Sequence, residues 1–214
     1  MLACAAHRVS AVEGVWLIPD FVSSEEEAQL WAAATGPAAR WTQLSGRAVQ
    51  ALGGVVHDKA GLLPAPLPRW LSALLARLEC QSGLFSEQTP LNHVLLNSYS
   101  PGQGILPHQD GPLYSPAVAI VSLGAHAVMS FSPHASCPEA QGASVWLPRR
   151  SLLLFSGVAY QNYMHGVNAV CQDDTASVCN TPPGLQGVVP REGRRISLTC
   201  RNVVKVRSGL LGGR

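Results

Sequence analysis

The chain has 214 residues, 47% of them hydrophobic and only 13% charged, roughly half the charged fraction of an average soluble domain. That balance excludes intrinsic disorder, which requires low hydrophobicity and high charge, and the length suffices for one sizeable core. A net charge of +2 is too small to force a nucleic-acid reading, so the placement of the charges carries more information than their sum.

In chain order, residues 1–14 read as a flexible N-terminus. His7 and Arg8 interrupt it before an apolar core of signal-peptide length develops. Val15 to Val22 reads as a strand leading into a helix from Glu25 to Ala34. Ser23 with Glu26, or Ser24 with Glu27, offers a capping box, and Gly36-Pro37 supplies the stop. Trp41 to Arg47 and Gly53 to Val56 read as short strands around turns. A second helix starts near Pro68 and carries Trp70, Leu71, Leu74, Leu75 and Leu78 on one face. Residues 15–90 thus form an N-terminal α/β extension.

After Pro90 the texture changes to short apolar runs punctuated by Gly and Pro: His93 to Tyr99, Val118 to Leu123, Ala127 to Phe131, Ser151 to Phe155 and Ile196 to Val204. Such spacing predicts a β-sandwich or barrel rather than an open parallel sheet. The fold class expected is mainly β with flanking helices. Residues 168–193, rich in Gly, Pro, Thr and Asp, read as a mobile insertion, and 208–214 as a C-terminal tail.

Six cysteines lack any CxxC pair, so neither a zinc-finger nor a thioredoxin spacing is present. Cys171 and Cys179 are close enough in sequence to bridge across a loop, but without a secretory context free thiols are the expectation. No apolar run approaches the roughly 20 residues of a membrane helix. The expectation is an intracellular protein of cytoplasm or nucleus with no membrane partner, and a monomer by default.

Between Arg77 and Arg149 there is no Lys or Arg, and Cys80 to Pro148 contains only Glu87, Asp110 and Glu139 as carboxylates. A buried carboxylate is costly unless a cation or donors compensate it, which draws attention to His108-Gln-Asp110. In an extended strand residues i and i+2 face one side, so His108 and Asp110 can present an imidazole and a carboxylate to one point. That is two-thirds of the facial triad that suits non-haem Fe(II). His126, His134 and His165 are candidates for the third ligand. His165 is favoured because it returns from a separate strand, whereas His7, His57 and His93 have no comparable partners.

Alternation places Arg195, Ser197, Thr199 and Arg201 on one face of a strand and Ile196, Leu198 and Cys200 on the other. Two inward guanidiniums suit a small dicarboxylate, although a solvated edge strand would show the same alternation. Beside an HxD…H triad, the dicarboxylate reading fits a 2-oxoglutarate-dependent dioxygenase. From Arg149 onward nine basic residues face three acidic ones, a balance that also admits phosphate contacts.

Asn97/Tyr99, Pro101-Gly102, His108/Asp110, Ser122-Leu123-Gly124, His165 and Arg195/Ser197/Thr199/Arg201 together resemble the AlkB family of Fe(II)/2-oxoglutarate dioxygenases. The stretches Trp41 to Arg47 and His108 to Tyr114 are most similar to the branch called AlkB homologue six. The resemblance implies a double-stranded β-helix of jelly-roll type over residues 91–207, with the N-terminal extension contributing to a substrate lid. It implies Fe(II) on His108, Asp110 and His165, with 2-oxoglutarate and O2 as cosubstrates. Arg201 and Asn97 would meet the C1 end of 2-oxoglutarate, and Arg195 and Tyr99 its C5 carboxylate, with Ser197 between. Oxidative demethylation or hydroxylation of an alkylated nucleic acid, DNA or RNA, follows as the expected activity. Trp41 and Tyr114 are candidates to stack on the substrate. A sensor that binds iron and 2-oxoglutarate with little turnover, or a nucleic-acid-binding module, would carry the same ligands.

Overall fold

The computed structural model describes residues 1–3 and 5–207; Cys4 and the expected tail 208–214 lie outside the described residues. The N-terminal elements are β1 (Val15–Ile18), α1 (Ser24–Thr35), β2 (Thr42–Gln43), β3 (Ala48–Leu52), β4 (Gly54–His57), β5 (Gly61–Pro64) and α2 (Ser72–Gln81). Then follow β6 (His93–Tyr99), β7 (Ile105–His108), β8 (Ala117–Leu123), β9 (Ala127–Pro133), β10 (Ala143–Leu147) and β11 (Leu152–Ser156). The chain continues through α3 (Val158–Asn162), β12 (Tyr163–Val167), β13 (Gln172–Asp174), β14 (Val188–Pro190) and β15 (Arg195–Arg201).

Two sheets make the jelly-roll core. The major sheet has seven strands in the order β1-β11-β8-β15-β6-β3-β2, and the minor sheet has four in the order β10-β9-β12-β7. The first ninety residues do not stand apart, because β1 pairs antiparallel with β11 and β3 pairs antiparallel with β6. The extension therefore supplies both flanks of the major sheet.

Burial explains the strand sequences. Every residue of β8 is buried, which is how a strand covered on both faces reads as one apolar run. Ala119, Val121 and Leu123 join Leu71, Leu74, Leu75 and Leu78 of the second helical segment in one core. Val118 and Ile120 face the other way and pack with Met129, Phe131 and Phe155 between the sheets. In β11, Leu152 and Leu154 fall in the first cluster and Leu153 and Phe155 in the second. Each such side chain contributes about 1.5–3 kcal/mol by leaving water.

The capping alternatives resolve in favour of Ser23 and Glu26: the Ser23 hydroxyl accepts from the Glu26 amide, and the Glu26 carboxylate accepts from the Ser23 amide. Glu27 does something else. It is 2% exposed and accepts from the Gly124 amide at 2.7 Å and from Arg149 Nε at 2.6 Å, which ties α1 to the core. Gly124 has φ of +84°, and a Cβ there would collide with the Arg194 carbonyl oxygen, so only glycine suits this position. The second helix begins as a 3-10 turn at Arg69–Leu71 after Pro68 and becomes α-helical only at Ser72.

Residues 168–193 contain the antiparallel pair β13 and β14 with a 3-10 turn at Thr175–Ser177. Asp173, buried, accepts from Arg191 Nε and Nη2, both at 2.7 Å. The Trp146 amide donates to Asn180 Oδ1 at 2.7 Å, and Asn180 Nδ2 donates back to the Trp146 carbonyl at 3.0 Å. Those bonds dock the excursion onto β10. Cys171 and Cys179 are free thiols, and among the described residues no helix is long and apolar enough to cross a membrane.

Candidate metal centre

The register of the minor sheet sets His108 directly opposite His165 across the β7–β12 pair. Their ring centroids lie 4.5 Å apart. Asp110 follows two residues after His108, beyond the end of β7, and swings its carboxylate to the same point. Ligand atoms of His108, Asp110 and His165 all lie within 4.8 Å of one another. The expected i, i+2 geometry is thus realised by a strand end rather than by a continuous strand.

The protonation pattern suits a metal. His108 Nδ1 lies 2.9 Å from the Leu106 carbonyl oxygen; since a carbonyl can only accept, Nδ1 donates there, and Nε2 is the ring nitrogen left for a metal. Burial lowers the His165 pKa to about 4, despite the opposing charge of Asp110, so its ring is neutral at physiological pH. Asp110 Oδ1 accepts from Arg201 Nη1, yet Oδ2 is buried with no hydrogen-bond partner among the described residues. An orphaned buried carboxylate oxygen beside two imidazoles is the donor set a divalent iron takes.

The triad lines a cavity of about 600 Å³ shared with Asn97, Tyr99, Tyr114, Arg195, Ser197, Thr199 and Arg201. That volume lies within the range of sites for small molecules and cofactors. β15 sits between β8 and β6 in the middle of the major sheet, so the edge-strand reading of its alternation does not hold. Ile196, Leu198 and Cys200 join the helical core, while the four polar residues face the cavity. Antiparallel pairing sets Arg195 opposite Tyr99 and Ser197 opposite Asn97. Arg195, 3% exposed, donates from Nη2 to the Ser122 hydroxyl at 2.9 Å. Ser122 therefore holds this guanidinium in place, a role that its motif alone did not reveal. Burial pulls the Arg195 pKa down to about 10, still charged at neutral pH, and Nε of both Arg195 and Arg201 is buried without a partner.

The two aromatic candidates part company. Tyr114 lines the cavity, with the Arg201 guanidinium 4.0 Å above its ring, so one face is already taken by a cation. Trp41 packs against the helical core, and its Nε1 donates to the Ala34 carbonyl at 3.1 Å; the structure does not bring it into the cavity. From the first ninety residues the described lining consists of Ser45, Gly46 and Arg47. Of the other histidines weighed as ligands, His126 stacks on Trp146 at 4.1 Å and lies 3.3 Å from Asp173 Oδ2. His134 bonds within its own turn to Ser136.

Comparison with known proteins places this geometry in a family. The 2OG-Fe(II) oxygenase superfamily profile matches residues 54–201. The chain is 37% identical over 206 residues to "Probable RNA/DNA demethylase ALKBH6" of Danio rerio, covering 90% of this chain and 86% of that one. It is 31% identical to "tRNA (carboxymethyluridine(34)-5-O)-methyltransferase ALKBH8" of Mus musculus, where the match takes in 72% of this chain but only 24% of the longer relative. The solved structure of OsALKBH1 superimposes with a TM-score of 0.60 at 19% identity, covering 88% of this chain and 98% of that chain. An oxidoreductase of the 2OG-Fe(II) oxygenase family from Burkholderia pseudomallei gives 0.60 at 14% identity, over 92% and 89% of the two chains. The distant structural matches carry the fold alone; profile and sequence identity make the chain an AlkB-like dioxygenase of the 2OG-Fe(II) oxygenase superfamily, which uses Fe(II), 2-oxoglutarate and O2.

Proposed function

We propose that this enzyme oxidatively demethylates or hydroxylates an alkylated nucleic acid, with His108, Asp110 and His165 holding iron and Asn97, Tyr99, Arg195, Ser197 and Arg201 holding 2-oxoglutarate. The observation that carries the reading is the donor set around Asp110: a buried, unpartnered carboxylate oxygen converging with two imidazoles on a cavity lined by guanidiniums. Bound iron supplies the oxidation of a substrate C–H bond by O2, with 2-oxoglutarate converted to succinate and CO2.

The chain's own residues orient and neutralise. Arg201 Nη1 fixes one oxygen of Asp110, which leaves the other for the metal. Ser122 holds Arg195, so its charge is aimed before a carboxylate arrives, and the ordering cost of binding falls accordingly. Apolar walls at Ile120, Met129 and Val167 limit water around the reacting carbon. When that carbon is an N-methyl group, its hydroxylated form breaks down to formaldehyde and the demethylated base. Support for the substrate class comes from the zebrafish relative's name and from the positive lining. An intracellular setting, cytoplasm or nucleus, goes with a nucleic-acid substrate and free cysteines.

The test is formaldehyde and succinate release from N-methylated single-stranded DNA and RNA oligonucleotides. The wild type should release both in proportion, whereas His108→Ala and Asp110→Ala should fall to background. Undiminished turnover in those variants would remove the proposed centre; succinate release that no oligonucleotide raises above the substrate-free rate would remove the substrate class.

A further inference from the structure

We infer that Arg47 receives a phosphate of the substrate strand at the mouth of the cavity; this rests on the nucleic-acid reading above and gives it a recognition contact. The charge count is the first observation. Three guanidiniums, Arg47, Arg195 and Arg201, and one carboxylate, Asp110, line the cavity. A divalent iron and a 2-oxoglutarate dianion cancel each other, so the loaded cavity stays two charges positive. With Arg195 and Arg201 taken by the cosubstrate, the guanidinium left over is Arg47.

Placement separates it from the other two. Arg195 and Arg201 are 3% and 5% exposed, whereas Arg47 is half-buried on the turn between β2 and β3. Its Nε donates to Asn97 Oδ1 at 2.9 Å. Among the described residues its two Nη groups have no hydrogen-bond partner and no carboxylate faces it. A fork anchored at Nε with both Nη groups free is the geometry that takes two anionic oxygens. Because Asn97 Oδ1 is engaged by an obligate donor, its Nδ2 is the atom left to face the cosubstrate.

The turn that carries Arg47 is rigidly set. The Leu44 amide donates to the Arg47 carbonyl at 2.8 Å, and the Gly104 amide donates to the Gly46 carbonyl at 3.0 Å. A Cβ on Gly46 would lie 2.7 Å from the Gly104 carbonyl oxygen, and a Cβ on Gly104 would collide with the Val167 carbonyl oxygen. Three backbone segments cross there with no room for side chains, which fixes the turn against the strands that carry His108 and His165. Leu106, 85% exposed, lies on the same rim, an apolar neighbour fit for a base beside the phosphate. Arg47 is a substrate-binding residue, its charge placed before the strand arrives.

The experiment measures binding of a short N-methylated single-stranded oligonucleotide to the full-length wild type, Arg47→Gln and Arg47→Lys across a salt series, with 2-oxoglutarate affinity measured in parallel. Loss of one phosphate contact should lower the slope of log affinity against log salt by about 0.7. Arg47→Gln should bind the oligonucleotide about tenfold more weakly, with a smaller change in 2-oxoglutarate affinity, and Arg47→Lys should recover the salt slope but not the full affinity. An unchanged slope in Arg47→Gln overturns the assignment, as does a loss of 2-oxoglutarate affinity as large as the loss for the oligonucleotide. A wild type that shows no salt-dependent oligonucleotide binding overturns it together with the nucleic-acid reading, whereas binding that ignores residue 47 overturns it alone. Melting temperatures identify a variant that has lost its fold, and Arg47→Lys then carries the test.

Discussion

Two buried arginine–aspartate pairs occupy this molecule, and they are built to opposite specifications. Arg191 and Asp173 meet through two parallel hydrogen bonds of 2.7 Å, and Arg191 Nη1 donates further to the Asn168 carbonyl at 2.9 Å. Arg201 and Asp110 meet through a single bond, which strands Asp110 Oδ2 and Arg201 Nε without partners. Burial costs both pairs a similar desolvation penalty, and only the first recovers it fully from protein partners. The closed pair ties the two arms of the excursion between β12 and β15 to each other, and Asn180 on Trp146 with His126 beside Asp173 joins it to the sheets. The open pair keeps unmet capacity for a cation and an anion, and that deficit marks the functional site.

The largest effect that would break this contrast is on stability. Asp173→Ala leaves Arg191 buried without its partner and should cost about 3–5 kcal/mol, read as a lower denaturant midpoint, while iron affinity stays near that of the wild type. The same pair predicts a pH dependence. Burial raises the Asp173 carboxyl, but the paired hydrogen bonds from Arg191, with His126 3.3 Å away, outweigh it and hold it at about 2, below its ordinary 3.8. A depressed acid stabilises the fold fully above its ordinary pKa and loses that contribution as pH falls through the folded value. The stability gap between wild type and Asp173→Asn should therefore be constant above about pH 4 and shrink toward pH 2. A gap that widens on acidification would assign the pair the wrong sign.

A smaller effect concerns the cosubstrate. Ser122→Ala frees Arg195 and should raise the KM for 2-oxoglutarate about tenfold with little change in kcat; an equal fall in kcat at saturating 2-oxoglutarate would argue against a positioning role. The smallest lies at Tyr114. Removing its ring with Tyr114→Leu takes the cation–π contact from Arg201, worth about 0.5–2 kcal/mol, and should weaken 2-oxoglutarate several-fold. Tyr114→Phe keeps the ring and should leave affinity near the wild-type value.

How much of this was legible in the sequence follows from burial. The strands of the major sheet, His93 to Tyr99 or Leu152 to Ser156, are covered on both faces and read as apolar runs. In the minor sheet only β9 shows as an apolar run; β7 and β12 are legible as strands through the ligands they carry, and β10 leaves no signal in the sequence. Pro107 interrupts β7, a position tolerated because β7 is an edge strand, and His165 and Gly166 break the apolar pattern of β12. Those departures exist because the strands line the site. His108, Asp110 and His165 were visible as a triad all the same, since ligand chemistry shows in residue type where strand propensity does not. Trp41 illustrates the converse: an aromatic near a motif looks the same in sequence whether it packs against helices or faces a cavity, and the structure gives it the helical core and a bond to Ala34. Arg47 and Ser122 were present in quoted motifs, but their roles depend on contacts with Asn97 and Arg195, 50 and 73 residues away.

The most direct measurement of the contrast between the two pairs is ligand-induced stabilisation. Fe(II) and 2-oxoglutarate are added without oxygen to wild type, Asp110→Ala and Asp173→Ala, and the rise in melting temperature is recorded. Binding to the native state alone stabilises in proportion to the logarithm of ligand excess. The wild type and Asp173→Ala should show the same rise, the latter from a lower starting temperature, and Asp110→Ala should show none. A full rise in Asp110→Ala, or its loss in Asp173→Ala, would contradict the assignment of the open pair to ligand and the closed pair to fold.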